Sequence, residues 1–241
     1  MVSFMSTALY VIFALILLAA VWGGYKRGLV LSAAHLAAIA VALYLACLLS
    51  SAFSGEVVSG MYPFAEGYLD HQIEQTVIPD MKLDTSFSVN DTLELHPNLV
   101  DVFCVNTYRA AGIHKGPATQ MAQEAQTYAA TQLTDIPTAI THVFCQRMAY
   151  VAGTAIAFIL VLVLLLAIGN LPNLTFRIPN HPRLDDVGGA VMGLINGIAY
   201  CILLCWVLQF AGMLIGRSTL DSNLLARFFM KIDILTLGVG I

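Results

Sequence analysis

The sequence predicts an all-α, polytopic helical membrane protein, and three observations lead to that class. Hydrophobic residues make up 59% of the 241 residues and charged residues 11%, whereas soluble domains average about 45–50% and about 25%. The hydrophobic residues form continuous blocks instead of alternating with polar ones. Because lipid offers no partner to backbone polar groups, such blocks must be helical. We therefore expect about four transmembrane helices, an extramembrane helical insertion and an interfacial C-terminal helix.

Four apolar blocks are the predicted transmembrane helices. They cover residues 8–22, 29–53, 148–168 and 187–215, and the last three contain no acidic residue, lysine or arginine. A helix needs about 20 apolar residues to cross a bilayer core of about 30 Å. The first block is shorter, but no lysine or arginine precedes it, which argues against a cleaved signal peptide.

An acidic insertion separates the second and third blocks. It holds 11 of the 15 acidic residues and only three basic ones, Lys82, Arg109 and Lys115, so its net charge is −8 and the rest of the chain carries +4. Residues 56–77 and 117–133 have the pattern of amphipathic helices. Residues 79–116 are rich in Asp, Asn, Thr and Pro, and we expect a loop with short turns there.

The C-terminal tail has its own helical pattern. Ser218-Thr219-Leu220-Asp221 resembles a capping box, and apolar residues then recur at helical spacing as far as Leu235. Its length and polarity favour an interfacial amphipathic helix over a fifth span. The predicted organisation is spans one and two in 1–53, the insertion in 54–146, spans three and four in 147–216, and the tail in 217–241.

Basic residues in the two short loops predict the orientation in the membrane. Lys26 and Arg27 join spans one and two, and Arg177 and Arg183 lie between spans three and four. The positive-inside rule makes both loops cytoplasmic, with the insertion and the two termini on the outer side. Arg217, Arg227 and Lys231 in the tail favour the opposite orientation.

Several function classes are excluded or unsupported by the composition. A net charge of −4 without a basic stripe excludes nucleic acid as a partner. Nothing in the spacing of the Ser, His, Cys, Asp and Glu residues indicates a catalytic group, a cofactor or a metal, so we expect no enzyme activity. The sequence leaves two alternatives for Cys104 and Cys145 in the insertion, namely a disulfide between them and two free thiols.

The fourth predicted span has the clearest structural motif. Gly189, Gly193 and Gly197 form one narrow stripe, which lets another helix approach closely. Asp185 or Asp186 precedes the apolar run, where capping of the helix start is favoured over ion binding.

Two further polar features lie near spans one and two. The turn Lys26-Arg27-Gly28 fits a topology anchor beside lipid phosphates better than a docking point for a cytoplasmic partner. His35 lies inside span two without an acidic neighbour in the membrane, which favours a packed histidine over a proton relay.

Two separated motifs resemble the colicin V production protein (CvpA) family. They are Arg27-Gly28-Leu29 and Leu184-Asp185-x-Val187-x-Gly189-x-x-x-Gly193-x-x-x-Gly197, and the resemblance covers about residues 7–53 and 147–235. The chain departs from the family at Asp186 and Asn196, where basic residues are common, at Ser6-Thr7, where an Asp often begins the first span, and in its long insertion.

The resemblance implies a multi-pass protein of the bacterial inner membrane with a role in toxin production or secretion, or in envelope physiology. We expect a non-enzymatic factor that acts by helix packing and partner assembly, with a homo-oligomer or a membrane-protein partner left open beside the lipid bilayer. The alternative is a small-solute or ion transporter or channel component, which is disfavoured because no charged pair lies in the apolar blocks.

Overall fold

Every regular element in the computed structural model is helical within the residues that it describes, which are 2–83, 88–168, 182–210 and 224–231. One π-helical segment, Ile73–Val77, and one 3-10 turn, Pro97–Leu99, lie among the described α-helices. The helices are α1 (Val2–Arg27), α2 (Leu29–Gln72), α3 (Ile78–Met81), α4 (Val89–Leu95), α5 (Val100–Ala110), α6 (Lys115–Gln132), α7 (Ile136–Ile168), α8 (Pro182–Phe210) and α9 (Leu224–Lys231).

Four helical stretches are long and apolar enough to cross a membrane, as the sequence predicts. They are Thr7–Arg27, Leu29–Met81, Ile136–Ile168 and Arg183–Phe210. Many of their large apolar side chains face outward, as expected where lipid and not water is the solvent. Leu18 and Leu160, for example, are 68% and 65% exposed.

Aromatic and basic residues mark the end of the first span. Trp22 and Tyr25 are exposed beside Lys26, whose Nζ lies 5.1 Å from the centre of the Trp22 ring. Aromatic rings and basic side chains concentrate at the level of the lipid headgroups. The C-terminal end of α1 therefore has the composition of a membrane interface.

The chain divides into two compact units, whose boundaries fall inside α2, α7 and α8. The first, the membrane body, consists of Met1–Ser50, Ala152–Val207 and Ser218–Ile241. The second, the insertion unit, consists of Ser51–Val151 and Leu208–Arg217.

The core of the membrane body lies between α2, α7 and α8. Ile39, Ala42 and Ala46 on α2 are buried against Phe158 and Leu162 on α7, and three residues of α8 complete the cluster, namely Ala199, Tyr200 and Leu203. The two alanines are fully buried, so α2 and α7 approach each other through small side chains.

The two predictions for this part of the insertion have different outcomes. The helix predicted at 56–77 is confirmed, since α2 covers it as far as Gln72 and the π-helical segment covers Ile73–Val77, and it continues span two without a break. The expected loop at 79–116 contains α4, α5 and the 3-10 turn between them, together with the end of α3 and the start of α6, so that prediction is wrong for most of its length. Ser88 caps α4 by accepting a hydrogen bond from the Asp91 backbone, at 3.1 Å. Burial of an apolar face on α5 outweighs its polar composition.

Part of the predicted tail helix is described. Residues 224–231 form α9, and Phe229 is buried with its ring centre 5.7 Å from that of Phe13 in α1. Phe228 beside it is 57% exposed, so the helix has one buried and one exposed side. The remaining predicted residues of the tail, and residues 211–215 of the fourth apolar block, lie outside the described residues.

The insertion unit has a packed core of its own around Tyr108. This side chain is fully buried, and its hydroxyl donates a hydrogen bond to the Ile140 carbonyl at 3.0 Å. Arg147 on α7 pairs with Glu124 on α6 through two guanidinium nitrogens, of which Nε lies 2.8 Å from Glu124 Oε2 and Nη2 donates to Oε1. Bidentate pairs of this kind fix the relative position of two helices more strongly than a single contact does.

Cys104 in that core is a free, fully buried thiol, as is Cys145. Burial, with a smaller contribution from the Asp101 carboxylate, raises the pKa of Cys104 to about 12. Only the thiolate reacts with alkylating agents. We therefore expect Cys104 to resist iodoacetamide at pH 8 in the folded protein and to react fully in denaturant, as read by peptide mass mapping. Equal labelling in both states would contradict this burial.

Candidate functional site

The glycine stripe of α8 lies directly against α1. A Cβ atom on Gly193 would meet the Ala20 carbonyl oxygen and lie 3.0 Å from Gly24 Cα, and one on Gly24 would lie 2.7 Å from Gly193 Cα. Gly189 is closed off in the same way by the Gly24 carbonyl oxygen. These obstacles are backbone atoms, which cannot rotate away, so glycine is required on both helices.

The third glycine of the stripe continues this contact one turn further. A Cβ atom on Gly197 would lie 3.0 Å from Ala20 Cβ and 3.2 Å from Leu17 Cδ2. The stripe predicted from the sequence is thus occupied within the chain, by α1. A partner or a second copy must use another surface.

Asp185 joins α8 to the start of α2. It is only 1% exposed, and its Oδ1 accepts a hydrogen bond from the Leu29 backbone nitrogen at 2.9 Å. The expected cap of the start of helix four is therefore corrected to a cap on α2. Since α8 begins at Pro182, Asp185 lies within its first turn, and its carboxylate serves an unpaired N–H group of the neighbouring helix.

Gly28 is the hinge between α1 and α2, and it touches the same carboxylate. Its φ of +83° is a left-handed conformation that favours glycine. A Cβ atom on Gly28 would also lie 2.5 Å from Asp185 Oδ2. The motif residues Gly28 and Asp185 therefore meet directly, while Arg27 lies beside them.

A cavity of about 510 Å³ opens between α1, α2 and α8 in the membrane body. Its apolar wall comes mainly from α1, and a group of polar side chains faces it. The lining residues are Ile16, Ala19, Ala20, Gly23, Gly24, Arg27, Ser32, His35, Asn196 and Tyr200.

Hydrogen bonds tie the polar lining residues of the cavity together. His35 Nε2 and the Tyr200 hydroxyl are 2.9 Å apart, which gives His35 the partner that a packed histidine requires. Asn196 Nδ2 donates to the Ser32 carbonyl oxygen at 3.1 Å. The Ser32 hydroxyl in turn donates to the Gly24 carbonyl oxygen at 3.3 Å.

Three of these polar residues, Ser32, Asn196 and Tyr200, were not predicted as site residues. The signal was present, because Asn196 and Tyr200 are four residues apart on α8 and therefore share one face. Ser32 and His35 are similarly three apart on α2. Each polar pair at helical spacing inside an apolar block would have indicated one polar helix face, but the sequence does not show that the two faces meet.

Within the described part of the chain, no three His, Cys, Asp or Glu side chains are grouped as a metal site requires. The arrangement is suited instead to holding a polar or charged group at the edge of the membrane, with Arg27 as the cation. Comparison of the chain with protein-family models, curated proteins and solved structures finds no match.

Proposed function

We propose that the chain is a non-enzymatic factor of the colicin V production type, located in the bacterial inner membrane and acting in toxin production or secretion, or more broadly in envelope physiology. One observation supports the resemblance more than any other. The two motifs that carry it contain Leu29 and Asp185, which are 156 residues apart in the chain. They meet at one contact, which we call the joint, where Asp185 accepts a hydrogen bond from the Leu29 N–H and lies against Gly28. Both motifs therefore serve one structural purpose.

This joint indicates how such a factor would act. It fixes α1 and α2 against α8 by backbone contact, so these three helices of the membrane body form one preformed assembly. Since α1 already covers the glycine stripe, assembly with a membrane-protein partner or a second copy uses the remaining surfaces.

Deletion of the gene in its own bacterium tests the proposed role. We expect reduced toxin secretion or increased sensitivity to detergents, restored by the wild-type chain and by Gly23→Ala. Gly24→Ala should fail to restore the wild-type behaviour, because its Cβ atom forces α1 and α8 apart. Unchanged secretion and unchanged detergent sensitivity after deletion would contradict the proposal.

The second candidate function is a small-solute or ion transporter or channel component, and the cavity favours it. Ligand sites in proteins usually have volumes of about 300–1,000 Å³, and polar groups inside a membrane frequently mark a solute pathway. Purified protein in liposomes distinguishes the two candidates. Specific solute or ion flux would support transport and defeat the assembly factor, whereas tight liposomes would favour the assembly factor.

A further inference from the structure

We propose that the cavity between α1, α2 and α8 binds an organic phosphate that also carries a hydroxyl or amine donor. The headgroups of phosphatidylglycerol and phosphatidylethanolamine have this chemistry, and so does soluble glycerol phosphate. The inference goes beyond the proposed function, since it concerns the occupant of the cavity and holds whether or not that occupant crosses the membrane.

The cationic end of the cavity is Arg27. The described part of the chain contains no carboxylate paired with this guanidinium. A guanidinium presents a planar fork of donors that matches two phosphate oxygens, and it keeps its charge at the membrane edge. Arg27 is the last residue of α1, beside the interfacial Trp22 and Tyr25, where lipid phosphates lie.

The second recognition element is the buried amide of Asn196. This residue is 4% exposed, and its Nδ2 is committed to the Ser32 carbonyl oxygen, which fixes the orientation of the amide. Its Oδ1 is buried and has no hydrogen-bond partner. A buried acceptor without a donor is unfavourable, so a ligand that brings a hydroxyl or amine gains a hydrogen bond there.

The shape of the cavity adds a preference for an amphiphile. Its lining on α1 runs from Ile16 to Arg27, which spans about 16 Å of helix. The end at Arg27 is cationic, whereas Ile16, Ala19 and Ala20 form an apolar wall. A lipid fits both ends, with its phosphate at Arg27 and the start of its acyl chains along the apolar wall. A soluble phosphate occupies the polar end alone.

Lipid binding to the full-length protein in detergent micelles, measured by native mass spectrometry, tests the inference. Phosphatidylglycerol supplies phosphate and hydroxyl donors, whereas phosphatidylcholine has the same phosphate and acyl chains without a donor. We expect phosphatidylglycerol to bind at least about tenfold more tightly than phosphatidylcholine, as one lost hydrogen bond to a buried acceptor implies.

Two variants and a matched control assign the contacts. Arg27→Gln should weaken phosphatidylglycerol binding at least about tenfold, whereas Lys26→Gln should leave it within about twofold, since Lys26 lies over Trp22 and does not line the cavity. Asn196→Ala should reduce phosphatidylglycerol binding to the phosphatidylcholine level without changing phosphatidylcholine binding. That unchanged value also reports that the variant is folded.

Competition by glycerol 3-phosphate separates the two sources of the ligand. Displacement of phosphatidylglycerol by millimolar glycerol 3-phosphate supports recognition of the headgroup chemistry alone. Failure to compete, with the variant effects intact, supports the lipid as the occupant. Equal binding of the two lipids, equal loss in Arg27→Gln and Lys26→Gln, or no binding of any of these probes would overturn the inference.

Discussion

Replacing Gly24 by alanine is expected to destabilise the membrane body by about 3 kcal/mol or more, at or beyond the upper end of the usual cost of overpacking. The new Cβ atom would meet the Gly189 carbonyl oxygen and lie 2.7 Å from Gly193 Cα and 2.9 Å from Gly193 N. Since these are backbone atoms, α1 and α8 must separate along their contact. The measurement is the free energy of unfolding in mixed micelles.

Gly23→Ala is the matched control for this prediction. It adds the same atom one residue earlier on the same helix, where nothing lies within 4 Å. Alanine is also the better helix former, so this variant should be neutral or slightly more stable. Equal stability of the Gly23→Ala and Gly24→Ala proteins would show that the close approach of the two helices does not exist.

The joint at Asp185 should give the second large effect. Asp185→Ala removes the acceptor for Leu29 N–H, and because the carboxylate is only 1% exposed, its loss leaves a partly buried donor unpaired. Loss of a helix cap costs about 0.5–2 kcal/mol and an unpaired buried donor about 1–3 kcal/mol, so we expect about 2 kcal/mol. Asp185→Asn keeps the accepting oxygen and should retain more stability, and Asp186→Ala next to it should cost little.

A double-mutant cycle tests the contact between Gly28 and the carboxylate. Gly28→Ala alone suffers both from its φ of +83° and from a Cβ atom 2.5 Å from Asp185 Oδ2. In the Asp185→Ala background the second cost disappears, so Gly28→Ala should be less destabilising there than in the wild type. Strictly additive unfolding free energies would contradict direct contact.

The spans were predictable because the lipid around them determines both their length and their apolar composition. Lipid requires continuous apolar helices of about 20 residues, and each block meets that requirement within its own local sequence. The helices α4 and α5 were not predictable from composition, since their polar residues resemble a loop and their stability comes from burial of residues such as Phe103 and Tyr108. Such burial depends on neighbours that local sequence does not specify.

The site was predictable only in halves. The stripe on α8 follows from spacing, and the complementary set at the same spacing is Ala20 and Gly24 on α1 and Gly28 directly after it. The sequence does not show that these two sets of residues pack against each other. The role of Asp185 likewise depends on a backbone nitrogen 156 residues away, so the sequence pointed to a cap but to the wrong helix.

A disulfide between α1 and α8 tests the central claim, which is that the glycine stripe packs inside one chain. Ala20→Cys and Gly197→Cys are introduced together after the native cysteines are replaced. A Cβ atom at position 197 would lie 3.0 Å from the Cβ atom of residue 20. The two helices need to move apart by less than about 1 Å to reach the usual Cβ–Cβ separation of a disulfide, about 3.8 Å. Mild oxidation should give an intramolecular disulfide in a monomer, whereas the control pair Gly23→Cys with Gly197→Cys should stay reduced. Cross-linked dimers from the first pair, or equal oxidation of both pairs, would contradict the account.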